Sequence, residues 1–238
     1  MSFLENARNA IKKQIPIEYK PCGKCQEGYI KTPKKEGIGF TFQTCDCLVE
    51  YESQKESFEL IQNSNIPDRL IMNYKLEEWE DEANLFEIFC NTFCSEELGK
   101  NWIFIYGTTG SGKTYASIIG AEVAVLKEQE VYFVNVPELL DSLRPKPDGS
   151  LRDENILEKV FSADLLILDD IGQEKASQWV RERLYMIINH RWNLGKPVIF
   201  TSNYNIEHIK ETISGAVYSR IKGESLEIEL HSKVDRRL

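Results

Sequence analysis

Three groups of residues have types and spacings that could do chemistry. Gly107-Thr108-Thr109-Gly110-Ser111-Gly112-Lys113-Thr114 fits G-x4-G-K-[ST] without a mismatch. It follows an apolar run and precedes a helical one, the context in which such a loop cradles phosphates. Its glycines allow backbone torsions closed to other residues, so several N–H groups can converge on one anion. The helix that follows adds its positive end. Lys113 supplies a mobile charge for the β and γ phosphates, and the Thr114 hydroxyl is placed to ligate Mg²⁺. A second group is Leu165-Leu166-Ile167-Leu168-Asp169-Asp170, a buried strand carrying two carboxylates at its C-terminal end. Ligands of open α/β sheets bind at that end. Asp169 is expected to hold Mg²⁺, and Asp170 to orient and deprotonate an attacking water. The alternative is that the pair caps the next helix. The third group is Cys22-Gly-Lys-Cys25 and Cys45-Asp-Cys47. Four thiolates at short spacings suit tetrahedral Zn²⁺; a redox pair or unmetallated thiols are the alternatives.

These groups need elements to position them. Residues 1–20 read as an amphipathic helix ended by Pro16, 21–47 as a small loop-rich unit, and 48–64 as a mostly solvated connecting helix. We divide the chain into 1–62 (helix, zinc unit and linker) and 63–238 (nucleotide-binding domain). The second part alternates: a helix over 82–98, a strand at 102–106, a helix from Lys113 to Lys127 and a strand at 131–136. Short helices follow near 137–143 and 153–162, then a strand at 165–169. A helix at 175–194 has Val180, Leu184, Ile187, Ile188 and Trp192 on one side; a strand at 198–201 and helical pieces over 206–222 come next. Leu226, Ile228 and Leu230 alternate with Glu227 and Glu229, as in a half-buried final strand. Continuous apolar strands separated by helices predict a parallel sheet covered on both faces. Cys90 and Cys94 are expected to be buried small hydrophobes.

The block LLILDDIGQEKASQWVRERLYMIINHRWNLGKPVIFTSNY resembles the DnaC/DnaI-type helicase loaders and their relative IstB, within the AAA+ superfamily. NSNIPDRL and Tyr74 resemble the stretch before the nucleotide site in that group. The resemblance implies an AAA+ P-loop core with a minimal C-terminal lid, and only 35 residues follow Asn203 (238 − 203). It implies that Asn203 is a polar sensor near the γ-phosphate, Arg220 a finger reaching a neighbouring subunit's nucleotide, and Arg236 a second sensor arginine. The residue-level alternatives are a turn start for Asn203 and a surface salt bridge for Arg220. The resemblance also favours zinc at the cysteines and implies ATP/ADP with Mg²⁺, a DnaB-type replicative helicase, single-stranded DNA and a homo-oligomer. Lys31, Lys34 and Lys35 of the zinc unit, and Arg144, Lys146 and Arg152 around the 144–152 loop, are the candidate DNA contacts. Tyr132 and Phe133 have a core role as the alternative to contacting DNA.

Composition sets the outer bounds. The chain has 238 residues, with 42% hydrophobic and 28% charged, an ordinary globular balance. Net charge is −9, from 29 basic and 38 acidic residues, which disfavours a protein that coats duplex DNA. No apolar run approaches the ~20 residues of a bilayer span, and no secretory leader opens the chain, so a cytoplasmic location is expected. The phosphate loop and the paired carboxylates predict an ATPase, and the resemblance implies that it loads a helicase. Its rivals are an IstB-like transposition helper and a zinc-bearing adaptor that binds ATP with little turnover. A small-molecule kinase is disfavoured because no mobile acceptor lid is evident.

Overall fold

The computed structural model describes residues 18–34, 38–72, 82–94, 100–146, 153, 155–173 and 177–231. The N-terminal helix, Lys35, Tyr74, Arg152 and Arg236 lie outside the described residues. Two compact units divide the chain, Met1–Gln62 and Asn63–Leu238.

The first unit is more regular than a loop-rich reading allows. Strands β1 (Tyr29–Pro33) and β2 (Phe40–Thr44) form an antiparallel hairpin. Gln26 and Tyr29 exchange backbone hydrogen bonds of 2.9 and 3.0 Å across the preceding turn. Both central residues of that turn have positive φ (Glu27 49°, Gly28 88°), the torsions that suit the strand twist. A Cβ on Gly28 would lie 2.5 Å from Leu48 Cδ2, so only glycine fits. Sequence patterning misses the hairpin because β1 and β2 have almost no buried positions and hence no apolar alternation. Helix α1 (Asp46–Asn63) follows and is mostly solvated, as its composition predicts.

The second unit is built on five parallel strands. They are β3 (Trp102–Gly107), β4 (Val131–Asn135), β5 (Leu165–Asp169), β6 (Val198–Ser202) and β7 (Ser225–Leu230), in the order β4-β5-β6-β3-β7. The helices are α2 (Asp68–Met72), α3 (Glu82–Cys94), α4 (Lys113–Val125), α5 (Val136–Ser142), α6 (Ile156–Ser162), α7 (Gln178–Asn193), α8 (Ile206–Thr212) and α9 (Gly215–Glu224).

Strand parity sorts the core. Trp102, Phe104, Tyr132, Val134, Leu166 and Phe200 belong to one buried cluster with residues of α5 to α9. In β3 to β6 the odd-numbered residues point to the other face, where α3 and α4 lie. There Gly120 of α4 comes so close to the sheet that a Cβ would sit 2.3 Å from Ile199 Cδ1 and 2.9 Å from Phe89. Tyr132 and Phe133 are both buried, which favours their core role.

Two expectations about faces fail. Trp192 is 44% exposed, and Arg191 takes the buried position instead. The Arg191 guanidinium donates to the carbonyls of Ala163, Asp164 and Pro197, tying α7 to the ends of the α6 loop and of the segment before β6. Burial lowers its pKa to about 10. Leu226 is exposed rather than inward-facing, because β7 is an edge strand paired only with β3. Cys90 is half-buried, and the side chain of Cys94 lies outside the described residues.

Candidate functional site

The C-terminal ends of β3, β5 and β6 converge because the strands are parallel and adjacent in register. Strand β6 lies between β3 and β5. Leu168 pairs with Phe200, so the next pair along is Asp169 beside Thr201. Asn135 pairs with Asp169 from the other side. Asp169 and Thr201 share the parity that faces α4, and α4 begins at Lys113–Thr114.

The result is a hub on one carboxylate oxygen. Thr114 Oγ1 donates to Asp169 Oδ1 at 3.0 Å, and Thr201 Oγ1 donates to the same atom at 2.7 Å. Asn135 adds a side-chain hydrogen bond. Burial pushes the Asp169 carboxyl above the usual carboxylate range, and the Thr201 bond opposes that rise. A buried carboxylate held by neutral donors keeps its charge available for a cation.

Thr201 does two jobs. Its Oγ1 also accepts the backbone N–H of Asp170 at 2.9 Å. Asp170 has φ of 61°, a left-handed conformation that Asp tolerates better than most residues. The pair is therefore not a continuous strand end; Asp170 turns off the sheet and is held there by β6. Ile171 N–H donates to Thr201 O at 2.9 Å and fastens the same turn.

The 107–114 loop has the predicted glycine geometry. Gly107, Gly110 and Gly112 have φ of 152°, 78° and 93°. A Cβ at Gly107 would lie 2.1 Å from the Leu230 carbonyl, so the loop's first position accepts no side chain. Lys113 is buried to 5% exposure, and its Nζ donates to the carbonyls of Gly107 and Thr108 at 3.0 and 2.9 Å. The ammonium thus lies over the loop itself. Gly112 starts α4 with no side-chain cap, and the buried Ser111 Oγ has no hydrogen-bond partner. A buried orphan hydroxyl and an uncapped helix start fit an anionic ligand. The Thr114 hydroxyl beside the Asp169 carboxylate is an oxygen donor set suited to Mg²⁺.

Other predicted positions fall differently. Asn203 follows the end of β6 and is half-buried. Arg220 lies on α9 between the rings of Tyr185 (5.0 Å) and Trp192 (5.2 Å) and donates to Ala216 O at 3.1 Å. None of these partners belongs to the phosphate loop. Arg144 and Lys146 are exposed.

The cysteines of the first unit come together. The sulfurs of Cys22, Cys25, Cys45 and Cys47 all lie within 4.8 Å of one another. Three of the separations are 3.9 Å (Cys22–Cys25), 3.6 Å (Cys22–Cys45) and 3.4 Å (Cys25–Cys47). Zinc with bonds of about 2.3 Å requires tetrahedral S···S edges of roughly 3.8 Å, so the set fits. The tight C-x-C half is explained by its position: Cys45 follows β2 and Cys47 is in the first turn of α1. Sequence reasoning misses Tyr19. Its hydroxyl lies 3.5 Å from Cys25 Sγ and 3.4 Å from Cys47 Sγ, and its ring meets Tyr51 edge-on at 5.4 Å. The Tyr19 hydrogen bond draws the Cys25 thiol down to about 6 and lowers the Cys47 thiol as well. It also missed the dual role of Thr201 and the part of Asn135. Strand parity could have found both; nothing in the spacing points to Tyr19.

Comparison with known proteins bears on the family and the fold. The family described as "IstB-like ATP binding protein" matches residues 55–222. The replicative helicase loader DnaI of Bacillus subtilis (strain 168) is 27% identical over 248 residues, spanning 99% of this chain and 76% of DnaI. A crystal structure of the DnaC helicase loader superposes with a TM-score of 0.59 and 25% identity, over 69% of this chain and 100% of that one. AMPPCP-bound DnaA from Aquifex aeolicus gives a TM-score of 0.55 at 23% identity over 69% of this chain. This chain spans about half (52%) of that DnaA. The shared fold is an AAA+ P-loop core.

Proposed function

The chain belongs to the IstB-like ATP-binding protein family, and from that premise we propose that it is an ATPase that loads a hexameric replicative helicase onto single-stranded DNA. One observation carries the choice of partner. The relative named a replicative helicase loader aligns over 99% of this chain, cysteine unit included, whereas the family match covers 55–222 only.

In this reading residues 107–114 hold the triphosphate, with Lys113 moving from its loop carbonyls to the β and γ oxygens. Thr114 and Asp169 would hold Mg²⁺, which would supply charge neutralisation for the phosphates. Asp170 accepts a proton from water as the water oxygen attacks the γ-phosphorus; the bond to the β–γ bridging oxygen breaks and ADP leaves. Thr201 fixes Asp169 and Asp170 relative to each other, and Asn203 holds the water. Arg220 leaves its Tyr185–Trp192 cage to reach a neighbouring subunit's nucleotide, which requires an oligomer. Arg236 is a second sensor. The four cysteines hold zinc, and the 1–62 unit docks on the helicase. Among the described residues no helix is long and apolar enough to cross a membrane, in keeping with a cytoplasmic site of action.

The test is native mass measurement of the chain mixed with a DnaB-type helicase, with Mg-ATP, followed by transfer of the helicase to circular single-stranded DNA. A defined complex and nucleotide-dependent transfer are expected. Failure to form any complex, or capture of a transposase instead, overturns the loader reading. Arg220→Ala should keep nucleotide binding and lose hydrolysis; unchanged turnover would falsify the finger assignment.

A further inference from the structure

The hairpin of the first unit carries a face that stands largely open among the described residues. The β1–β2 register sets Lys31 opposite Phe42 and Pro33 opposite Phe40. Tyr29, Lys31, Phe40 and Phe42 therefore project from one side, while the Thr32 and Thr41 hydroxyls bond at 2.8 Å on the other. Tyr29, Phe40 and Phe42 are 48%, 52% and 66% exposed. Large aromatic rings clustered in the open on so small a unit mark a contact surface. Lys31 Nζ lies 3.9 Å from the Phe40 ring centroid, so a cation rides on the aromatic face. Tyr29, Lys31 and Phe42 line a shallow concavity of about 430 Å³, with Glu27 as its sole carboxylate among the described residues.

The local charge runs against that of the whole molecule. Lys20, Lys24, Lys31 and Lys34 outnumber Glu18 and Glu27 on the described stretch before β2, in a chain of net charge −9. Aromatic faces for stacking bases and lysines for phosphates are the two parts of a single-strand binding platform. An aliphatic helix groove for a protein partner has neither the charge nor the planar rings.

We propose that Tyr29, Phe40 and Phe42, with Lys31, form a base-stacking platform for single-stranded DNA on the cysteine unit. The idea deepens the loader reading and rests on it for the biological source of the strand. The binding chemistry stands by itself. In this arrangement the zinc unit holds the strand by its bases, and the aromatic rings give no sequence preference.

Fluorescence anisotropy of the full-length chain with a labelled 20-mer of thymidine tests it, alongside an abasic strand of equal charge. Tyr29→Ala and Phe42→Ala should each weaken binding about tenfold, and their combination more. Lys31→Glu should weaken it and flatten its salt dependence. The abasic strand should bind like the double variant. Bound zinc per chain, unchanged in each variant, excludes unfolding as the cause. Undiminished affinity in the double variant, or equal affinity for the abasic strand, overturns the platform. So does a double variant that keeps DNA but loses the helicase complex, which would make the face a protein-docking surface. A chain that forms no helicase complex yet loses DNA in these variants defeats the loader reading and leaves the platform standing.

Discussion

The two units of this molecule are held together by different physics. Around the 107–114 loop, strands β3 to β6 bury nearly every side chain, and the site's polar groups are fixed by an apolar core. Among the described residues of the 18–45 stretch only Gly28 and Cys45 are buried. That hairpin has little buried apolar surface to offset its ordering entropy, so under our proposal a metal held by the four sulfurs would supply what the core supplies elsewhere. The contrast teaches that one chain can carry a site fixed by a buried core and a small hairpin unit whose four clustered cysteines, on our proposal, take over the role of a core.

The largest effect should come from removing zinc. A strong chelator should abolish the chemical-shift dispersion of the β1–β2 hairpin, while nucleotide affinity and the unfolding transition of the second unit persist. Loss of both together would erase the distinction drawn here. Next comes Arg191→Leu. It strips donors from three carbonyls at Ala163, Asp164 and Pro197, so denaturant unfolding of the second unit should show a loss of ~3 kcal/mol with zinc content unchanged.

A smaller effect is expected at Tyr19. Tyr19→Phe removes the hydroxyl shared by Cys25 and Cys47, and chelator competition should show zinc affinity falling about tenfold. Unchanged affinity would reduce Tyr19 to packing against Tyr51. The smallest change is Asp169→Asn without metal. The Asp169 carboxyl is raised by burial, so its ionised form costs stability at neutral pH, and that cost fades as pH falls through its folded value. The amide should therefore raise the melting temperature by ~3 °C at pH 7 and remove this contribution to the pH dependence.

How much of this was legible in the sequence follows the same division. Where burial decides, the pattern was readable: the 102–107 and 165–169 strands and the loop between β3 and α4 stand where continuous apolar runs and glycines put them. The order of strands was not readable, since periodicity says nothing about neighbours. Hence Thr201, which β6 sets beside Asp169, had no role visible in the spacing. Arg191 and Trp192 exchange places because a buried arginine with carbonyl partners defeats a hydropathy count. The hairpin was invisible because its strands bury nothing, and Tyr19 because its partners are distant in sequence.

One titration tests the central claim most directly. Calorimetric binding of a slowly hydrolysed ATP analogue with Mg²⁺ to the full chain should show one site per protomer. Lys113→Ala should weaken that site more than about a hundredfold, and Asp169→Asn should remove the Mg²⁺ dependence of binding. Nucleotide affinity that survives Lys113→Ala undiminished would contradict the account.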